Sequence, residues 1–210
     1  VKYRDINGDG IISGEDQTFI GNPYPKWFGG FTNTFSYRGF DLSILLFFSY
    51  GNDVYNYIRN ENTNPNNINL GRNMFIGAFD YARVTTDEEG NPYVENPGTI
   101  VARMSGGNKN NNFQRHTDKY VEDGSYLRVK NVSLNYNLPG SLVASAKFIK
   151  AARLGVSVQN LLTITGYSGY DPEVGSYVGP NASTANAAVG VDYGRYPLTP
   201  VYSVNVGIDF

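Results

Sequence analysis

At 210 residues the chain has room for one ordinary globular domain, yet Tyr 17, Phe 12 and Gly 24 suit short, turn-rich strands better than packed helices. A formal charge of -2 with scattered basic residues excludes a nucleic-acid groove, and Cys 0 excludes a disulfide framework, a thiolate metal site and a cysteine nucleophile. No run approaches the roughly 20 apolar residues of a spanning helix, which excludes helical membrane proteins and leaves strand-built ones open.

The chain starts at Val1 without a charged-then-apolar leader, so it is expected to be a piece whose export signal, if the protein is exported, lies upstream. The first motif runs from Asp5 to Asp16, Asp-Ile-Asn-Gly-Asp-Gly-Ile-Ile-Ser-Gly-Glu-Asp. It follows the calcium-loop spacing of oxygen donors at positions one, three, five, seven, nine and twelve, with Gly at six. The expected ligands of Ca²⁺ are therefore Asp5, Asn7, Asp9, the Ile11 carbonyl, Ser13 and Asp16. The last is Asp rather than the usual Glu, as in dockerin-type loops. The same residue types also build ion-free Asx turns. Four carboxylate or amide positions and Gly10 agree with a structural ion.

Five runs then alternate apolar and polar residues with period two. In the first, Trp27, Phe31, Phe35 and Tyr37 alternate with Gly30, Thr32, Thr34 and Ser36. Arg38-Gly39 forms a tight hairpin connection into Phe40–Tyr50, where Phe40, Leu42, Ile44, Leu46, Phe48 and Tyr50 share one face. The third, Tyr126–Leu138, sets Val132, Leu134, Tyr136 and Leu138 against Ser133, Asn135 and Asn137. Its first half breaks phase at Leu127 and Val129, as a bulge or an entry above the membrane would cause. The fourth carries Ala152, Leu154, Val156 and Val158, and the fifth Tyr202, Val204, Val206, Ile208 and Phe210.

A soluble sandwich also alternates, so two further features are needed. Aromatics gather at run ends (Trp27 and Tyr37, Phe40 and Tyr50, Tyr126 and Tyr136, Tyr202 and Phe210), at spacings of about 9–11 residues that match a tilted strand crossing the hydrocarbon layer. The connections are also sorted by length. Arg38-Gly39 and Pro139–Lys150 are short, whereas Gly51–Gly124 and Ile164–Pro197 are long and rich in Asn and Gly. Short turns on one side and long loops on the other are the asymmetry of an outer-membrane barrel. With the aromatic Phe210 at the periplasmic end of the last strand, both long loops fall outside the cell. Five strands cannot close a barrel alone, so the remaining strands lie in sequence beyond this chain.

Other chemistry finds little footing. His116, the single histidine, sits between Arg115 and Thr117 in the first long loop and reads as solvated rather than as a triad or zinc residue. Asp87, Glu88 and Glu89 read as a solvated turn rather than acid–base machinery. Ser105-Gly106-Gly107-Asn108 runs into Lys109-Asn110 and lacks the pattern of a phosphate loop. Tyr81, Tyr93, Tyr120, Tyr167, Tyr170, Tyr177, Tyr193 and Tyr196 lie in the long loops, where rings stack on a sugar or peptide or pack loop against loop.

Taken in order, Asp5–Gly10, Ile20-Gly21-Asn22-Pro23, Gly51-Asn52-Asp53, Asp123–Val132, Gln159-Asn160-Leu161, Tyr167–Glu173 and a final strand ending in Phe210 resemble the C-terminal third to quarter of SusC/RagA-type TonB-linked outer-membrane proteins of Bacteroidota. The resemblance covers nearly all of the chain except the stretch around Asn62–Asn112. It implies a barrel of about 22 strands with an N-terminal plug, energised by the TonB complex through the part absent here. It also implies a SusD-like surface lipoprotein as lid, and oligosaccharides or peptides as ligands.

The expected fold is therefore all-β, about five C-terminal strands of a large antiparallel transmembrane β-barrel with long extracellular loops. Residues 1–25 form a calcium-type extracellular loop, 26–50 a hairpin, 51–124 an extracellular loop, 125–163 a hairpin, 164–197 an extracellular loop and 198–210 the terminal strand. The expected function is non-enzymatic: part of an active importer, integral to the bacterial outer membrane, in contact with lipid and with no nucleic-acid partner. Two alternatives stand beside it, a barrel-closing segment without ligand contact and a soluble calcium-binding β-sandwich module.

Overall fold

The computed structural model describes residues 3–65, 67, 71–104, 115–143, 148–175 and 189–210. It divides into two compact units: a sheet unit of Pro23–Asp53, Asp123–Glu173 and Arg195–Phe210, and a loop unit of Val1–Asn22, Val54–Glu122 and Val174–Gly194. The strands in chain order are β1 (Trp27–Tyr37), β2 (Phe40–Tyr50), β3 (Asp53–Asn56), β4 (Val84–Thr86), β5 (Pro92–Val94), β6 (Val121–Asp123), β7 (Tyr126–Asn137), β8 (Ala151–Thr165), β9 (Val191–Asp192) and β10 (Val201–Asp209). Among the described residues two short α-helices accompany them, α1 (Tyr57–Asn62) and α2 (Gly140–Val143). Among the described residues no helix is long and apolar enough to cross a membrane.

The five alternating runs become one antiparallel sheet in the order β1-β2-β7-β8-β10, so each long strand pairs with the next long strand along the chain. The β1–β2 register is unbroken from Trp27↔Tyr50 to Tyr37↔Phe40. Its turn holds Arg38 at φ 47 and Gly39 at φ 85. Two consecutive positive values are those of the two-residue hairpin whose twist matches its strands. Gly39 is needed there twice over, since a Cβ would also stand 2.9 Å from the Asn137 carbonyl oxygen.

Register then sorts the side chains into two faces. Phe35, Leu42, Leu134, Val156 and Val204 lie in line across all five strands, and Tyr37, Phe40, Tyr136, Leu154 and Val206 form the next row. Among the described residues of this unit neither a second sheet nor a helix covers this face: Phe35 remains 58% exposed, Val156 50% and Val204 80%. In a water-soluble sandwich these residues would be the core. Uncovered, they form a lipid-facing wall, with Phe40 stacked on Tyr136 at 4.3 Å toward one end. At the other end Trp27, Phe48, Tyr50, Leu127 and Ile164 line a shallow apolar groove.

The phase break in β7 is a bulge. Leu46 pairs with Val129 and Leu45 with Asn131, leaving Lys130 between them. The extra residue returns Leu127 and Val129 to the apolar face, opposite Phe48 and Leu46. β8 makes a matching adjustment, going from Gln159 to Leu162 while β7 goes from Asn131 to Val129. Asn160 takes it up at φ 51, a left-handed conformation that Asn tolerates better than most residues. This second adjustment carries β8 to Thr165, two residues beyond the expected end of the hairpin at 163.

Regular structure also appears inside the long loops, where no expectation placed it. β3, β6 and β9 form a small sheet in the order β6-β3-β9, with β3 and β9 parallel. Asn56 caps α1 by accepting from the Arg59 N–H at 2.8 Å. β4 and β5 make a separate hairpin. The core of the loop unit is small, centred on Val54, Ala78, Val101, Ala102 and Tyr120.

Candidate functional site

The second face of the sheet is polar and hydrogen-bonded. One row across it reads Thr34, Ser43, Ser133, Ser157 and Ser203, and the next Ser36, Asp41, Asn135, Gly155 and Asn205. Ser36 donates its hydroxyl to Asp41 Oδ1 at 2.6 Å, and Asn137 Nδ2 donates to Asp41 Oδ2 at 2.7 Å. The Asn135 and Asn205 amides lean over Gly155 from both sides and occupy the space that its missing side chain leaves. Hydroxyls and amides suit a water-filled interior and would be costly against hydrocarbon.

At the far end of this face one charge is fully enclosed. Arg128 sits on β7 opposite Phe47 on β2 and Thr163 on β8, and its side chain is 1% exposed. Nε donates to Thr163 Oγ1 at 2.9 Å, Nη1 to Glu173 Oε2 at 2.7 Å and Nη2 to Asp171 Oδ1 at 2.6 Å. The guanidinium also lies 5.3 Å from the centre of the Tyr126 ring. Asp171 in turn accepts from the Glu173 N–H at 2.9 Å and the Leu198 N–H at 3.0 Å. Burial opposes ionisation of Asp171, but the two N–H donors and the Arg128 guanidinium outweigh it and hold its carboxyl below the usual carboxylate range. The loop after β8 is thus fastened at its base onto the polar face of the sheet.

This cluster carried no assigned role in the sequence reading. Arg128 and the Asp171-Pro172-Glu173 segment stand in two of the motifs that carry the resemblance, 43 residues apart from Arg128 to Asp171. A charged side chain in a strand position that faces the interior was the available signal. Long-range pairing to a loop carboxylate leaves no periodic trace, so its partner was not legible.

The calcium-type loop folds around its own backbone. Asp5 accepts from the Gly8 and Gly10 N–H groups at 2.7 and 2.8 Å, Asn7 Oδ1 from Asp9 N–H at 3.1 Å, and Asp9 Oδ1 from Ile11 N–H at 2.7 Å. Asp16 accepts from Ser13 and Ile6 at 2.7 and 2.8 Å, which holds its carboxyl below the usual range. Ser13 Oγ caps the following turn at Glu15 N–H. Gly8 and Gly10 both adopt φ 78, where side chains are strained, so the glycines serve the turn directly. All the donors are hard oxygens, the chemistry calcium prefers. Asp5 and Asp9 close turns and Asp16 ties Ser13 back to Ile6, and among the described residues no three acidic or histidine side chains form a metal-holding group.

His116 is exposed; its Nδ1 lies 3.3 Å from the Tyr55 hydroxyl and the two rings meet edge to face at 5.3 Å. Asp87 accepts from the Glu89 and Asn91 N–H groups and shapes the tip between β4 and β5. The loop tyrosines divide: Tyr120 and Tyr167 are buried, Tyr193 packs on Tyr57 at 4.7 Å, Tyr81 bridges to Val101, and Tyr93, Tyr170 and Tyr196 are exposed. Tyr177 and the Ser105–Asn110 stretch lie outside the described residues.

Comparison with known proteins gives a consistent answer. No family model matches the sequence. The chain is 33% identical over 208 residues to TonB-dependent receptor P3 of Formosa agariphila, spanning 99% of this chain and 19% of that protein. It is 24% identical over 208 residues to TonB-dependent receptor SusC of Bacteroides thetaiotaomicron, spanning 99% of this chain and 17% of that protein. Among solved structures it is similar to the RagAB peptide transporter, at TM-score 0.71 and 25% identity over 95% of this chain and 19% of the other. The chain therefore spans about a fifth of the length of the curated relatives it matches.

Proposed function

The chain belongs to the TonB-dependent receptors of the SusC/RagA type as a segment of their outer-membrane barrel, and from that premise we propose that it forms part of the wall and outer rim of a transporter importing oligosaccharides or peptides. The observation that carries this reading is the two-faced sheet. One face is apolar and uncovered over five strands, and the other is a hydrogen-bonded polar surface. A wall of that kind separates lipid from a wet passage. The long loops then lie on the outer side, where a SusD-like lipoprotein closes over the barrel, and the TonB complex energises uptake through the part of the receptor beyond this chain. The periplasm receives the short turns and the end of β10.

Replacing Gly166–Tyr196 in the full receptor, and following uptake together with surface abundance, tests the reading. Loss of uptake at normal abundance is expected. Normal uptake at normal abundance would leave the segment a structural part of the wall.

Calcium in the loop from Asp5 to Asp16 belongs to the same proposal. The oxygen-only donor set and the ligand spacing support it, and the ion's role is to brace the loop. Asp5→Ala with Asp9→Ala should lower the thermal midpoint of the receptor in calcium and leave it unchanged in chelator. An equal drop under both conditions would mean that these carboxylates serve the turns alone.

A further inference from the structure

The apolar face changes character toward its Trp27 end. Phe31, Leu46, Val129 and Leu162 form a full row across β1, β2, β7 and β8, and the next row is Gly29, Phe48, Leu127 and Ile164. Gly29 contributes no side chain, and the Phe48 ring leans over it: a Cβ there would stand 3.3 Å from two ring carbons. One row further Trp27 still pairs with Tyr50, but the chain supplies only Ser125, just before the first paired residue of β7. A ring tipped toward β1 and a serine in place of a large side chain open a groove of about 510 Å³. Leu127 lies at its centre, with Trp27, Phe48 and Tyr50 on one flank and Ile164 on the other.

The lining decides what can fill it. The Ser125 hydroxyl already accepts from the Gly51 N–H at 2.9 Å and donates to Asp123 Oδ1 at 2.6 Å, so it is engaged within the chain. The groove is continuous with the apolar wall, whose neighbour in a barrel is hydrocarbon. Water lodged there would lose hydrogen bonds, and an empty groove would lose dispersion contacts, so an alkyl chain is the favoured guest. Trp27 and Tyr50 stand opposite one another at the end of the ladder and are 71% and 59% exposed. Each adds one polar group, an indole N–H or a phenol O–H, to an otherwise apolar ring. That combination settles aromatic side chains at the level of lipid headgroups. Two donors therefore stand where an alkyl chain would meet its ester or phosphate group.

We propose that this groove seats one acyl chain of an ester-linked membrane phospholipid, with the Trp27 indole N–H and the Tyr50 hydroxyl donating to its ester or phosphate oxygens. The proposal rests on the reading of the apolar face as a wall in contact with lipid.

The test uses the full-length receptor purified in dodecyl maltoside, a detergent with neither ester nor phosphate. It is titrated with a phosphatidylethanolamine that carries a photoreactive diazirine in one acyl chain, irradiated, digested and mapped by mass spectrometry. Labelling at Leu127 and Ile164 should saturate at a low ratio of probe to detergent, whereas labelling at Val204, on the open wall, should rise in proportion to the probe. Tyr50→Phe and Trp27→Phe should each raise the half-saturating ratio roughly five- to tenfold at an unchanged thermal midpoint, with Val204 unaffected. Labelling at Leu127 and Ile164 that merely rises in proportion, as at Val204, overturns the seat. So does an absence of label there while Val204 is labelled, the result expected if a second copy of the receptor covers the groove. An unchanged half-saturating ratio in the double variant overturns the role given to the two donors. If neither the groove nor Val204 takes label, the lipid-facing wall itself is rejected.

Discussion

Arg128 illustrates what an enclosed charge demands of its neighbours. Water is excluded from its guanidinium, so Thr163, Asp171 and Glu173 must replace it with hydrogen bonds. Arg128→Met leaves two carboxylates facing each other with no cation between them. The expected cost is about 3–5 kcal/mol of unfolding free energy, measured by urea titration of the receptor in lipid vesicles. The clasp has a pH dependence with a definite sign. The Asp171 carboxyl titrates below its unfolded value, so its stabilisation is complete above about pH 4 and is lost as pH falls through the lower, folded value. Protection of the Leu198 amide, its exchange rate relative to that of a free amide at the same pH, should hold from neutral pH to about pH 4 and fall in stronger acid. Gly155 makes a steric demand instead. Its place is filled by the Asn135 and Asn205 amides, so Gly155→Ala should destabilise by about 1–3 kcal/mol on the same titration.

For a strand, what matters is which side each residue faces. Val204 lies on the apolar face in register with Val156, Leu134, Leu42 and Phe35. Val204→Arg puts a charge into hydrocarbon and should cost about 2–4 kcal/mol near mid-depth, while Ser203→Arg, on the polar side of the same strand, should be tolerated. Comparing the unfolding midpoints of the two variants decides the orientation of β10. Deleting Lys130 is the sharper test. Removing the bulge would swing Leu127 and Val129 to the polar face and turn Arg128 toward lipid, so surface abundance should collapse. Alternation made the five strands, the hairpin at Arg38-Gly39 and the bulged β7 legible from sequence, because a period of two is written directly into side-chain type. The small sheet of β3, β6 and β9 was not, because strands of two to four residues are too short to show a period. The clasp was hidden for a related reason: it joins a strand to a distant loop, and its members look like ordinary polar residues where they stand.

On the scale of the molecule, the sheet unit lacks what a water-soluble fold requires. Among the described residues its apolar wall has no partner layer, and β1 and β10 stand at the two margins of the sheet order. Expressed by itself without detergent, the chain should associate into large species in analytical ultracentrifugation; a folded monomer there would contradict the membrane assignment. Each margin presents a row of backbone N–H and C=O groups with no further strand opposite among the described residues, 11 residues long in β1 and 9 in β10. A sheet of this kind becomes a closed barrel only when both rows are zipped to further strands. Mistakes in β10 should therefore surface late, as a cylinder that is built but left ajar and leaks, rather than as a segment that never forms.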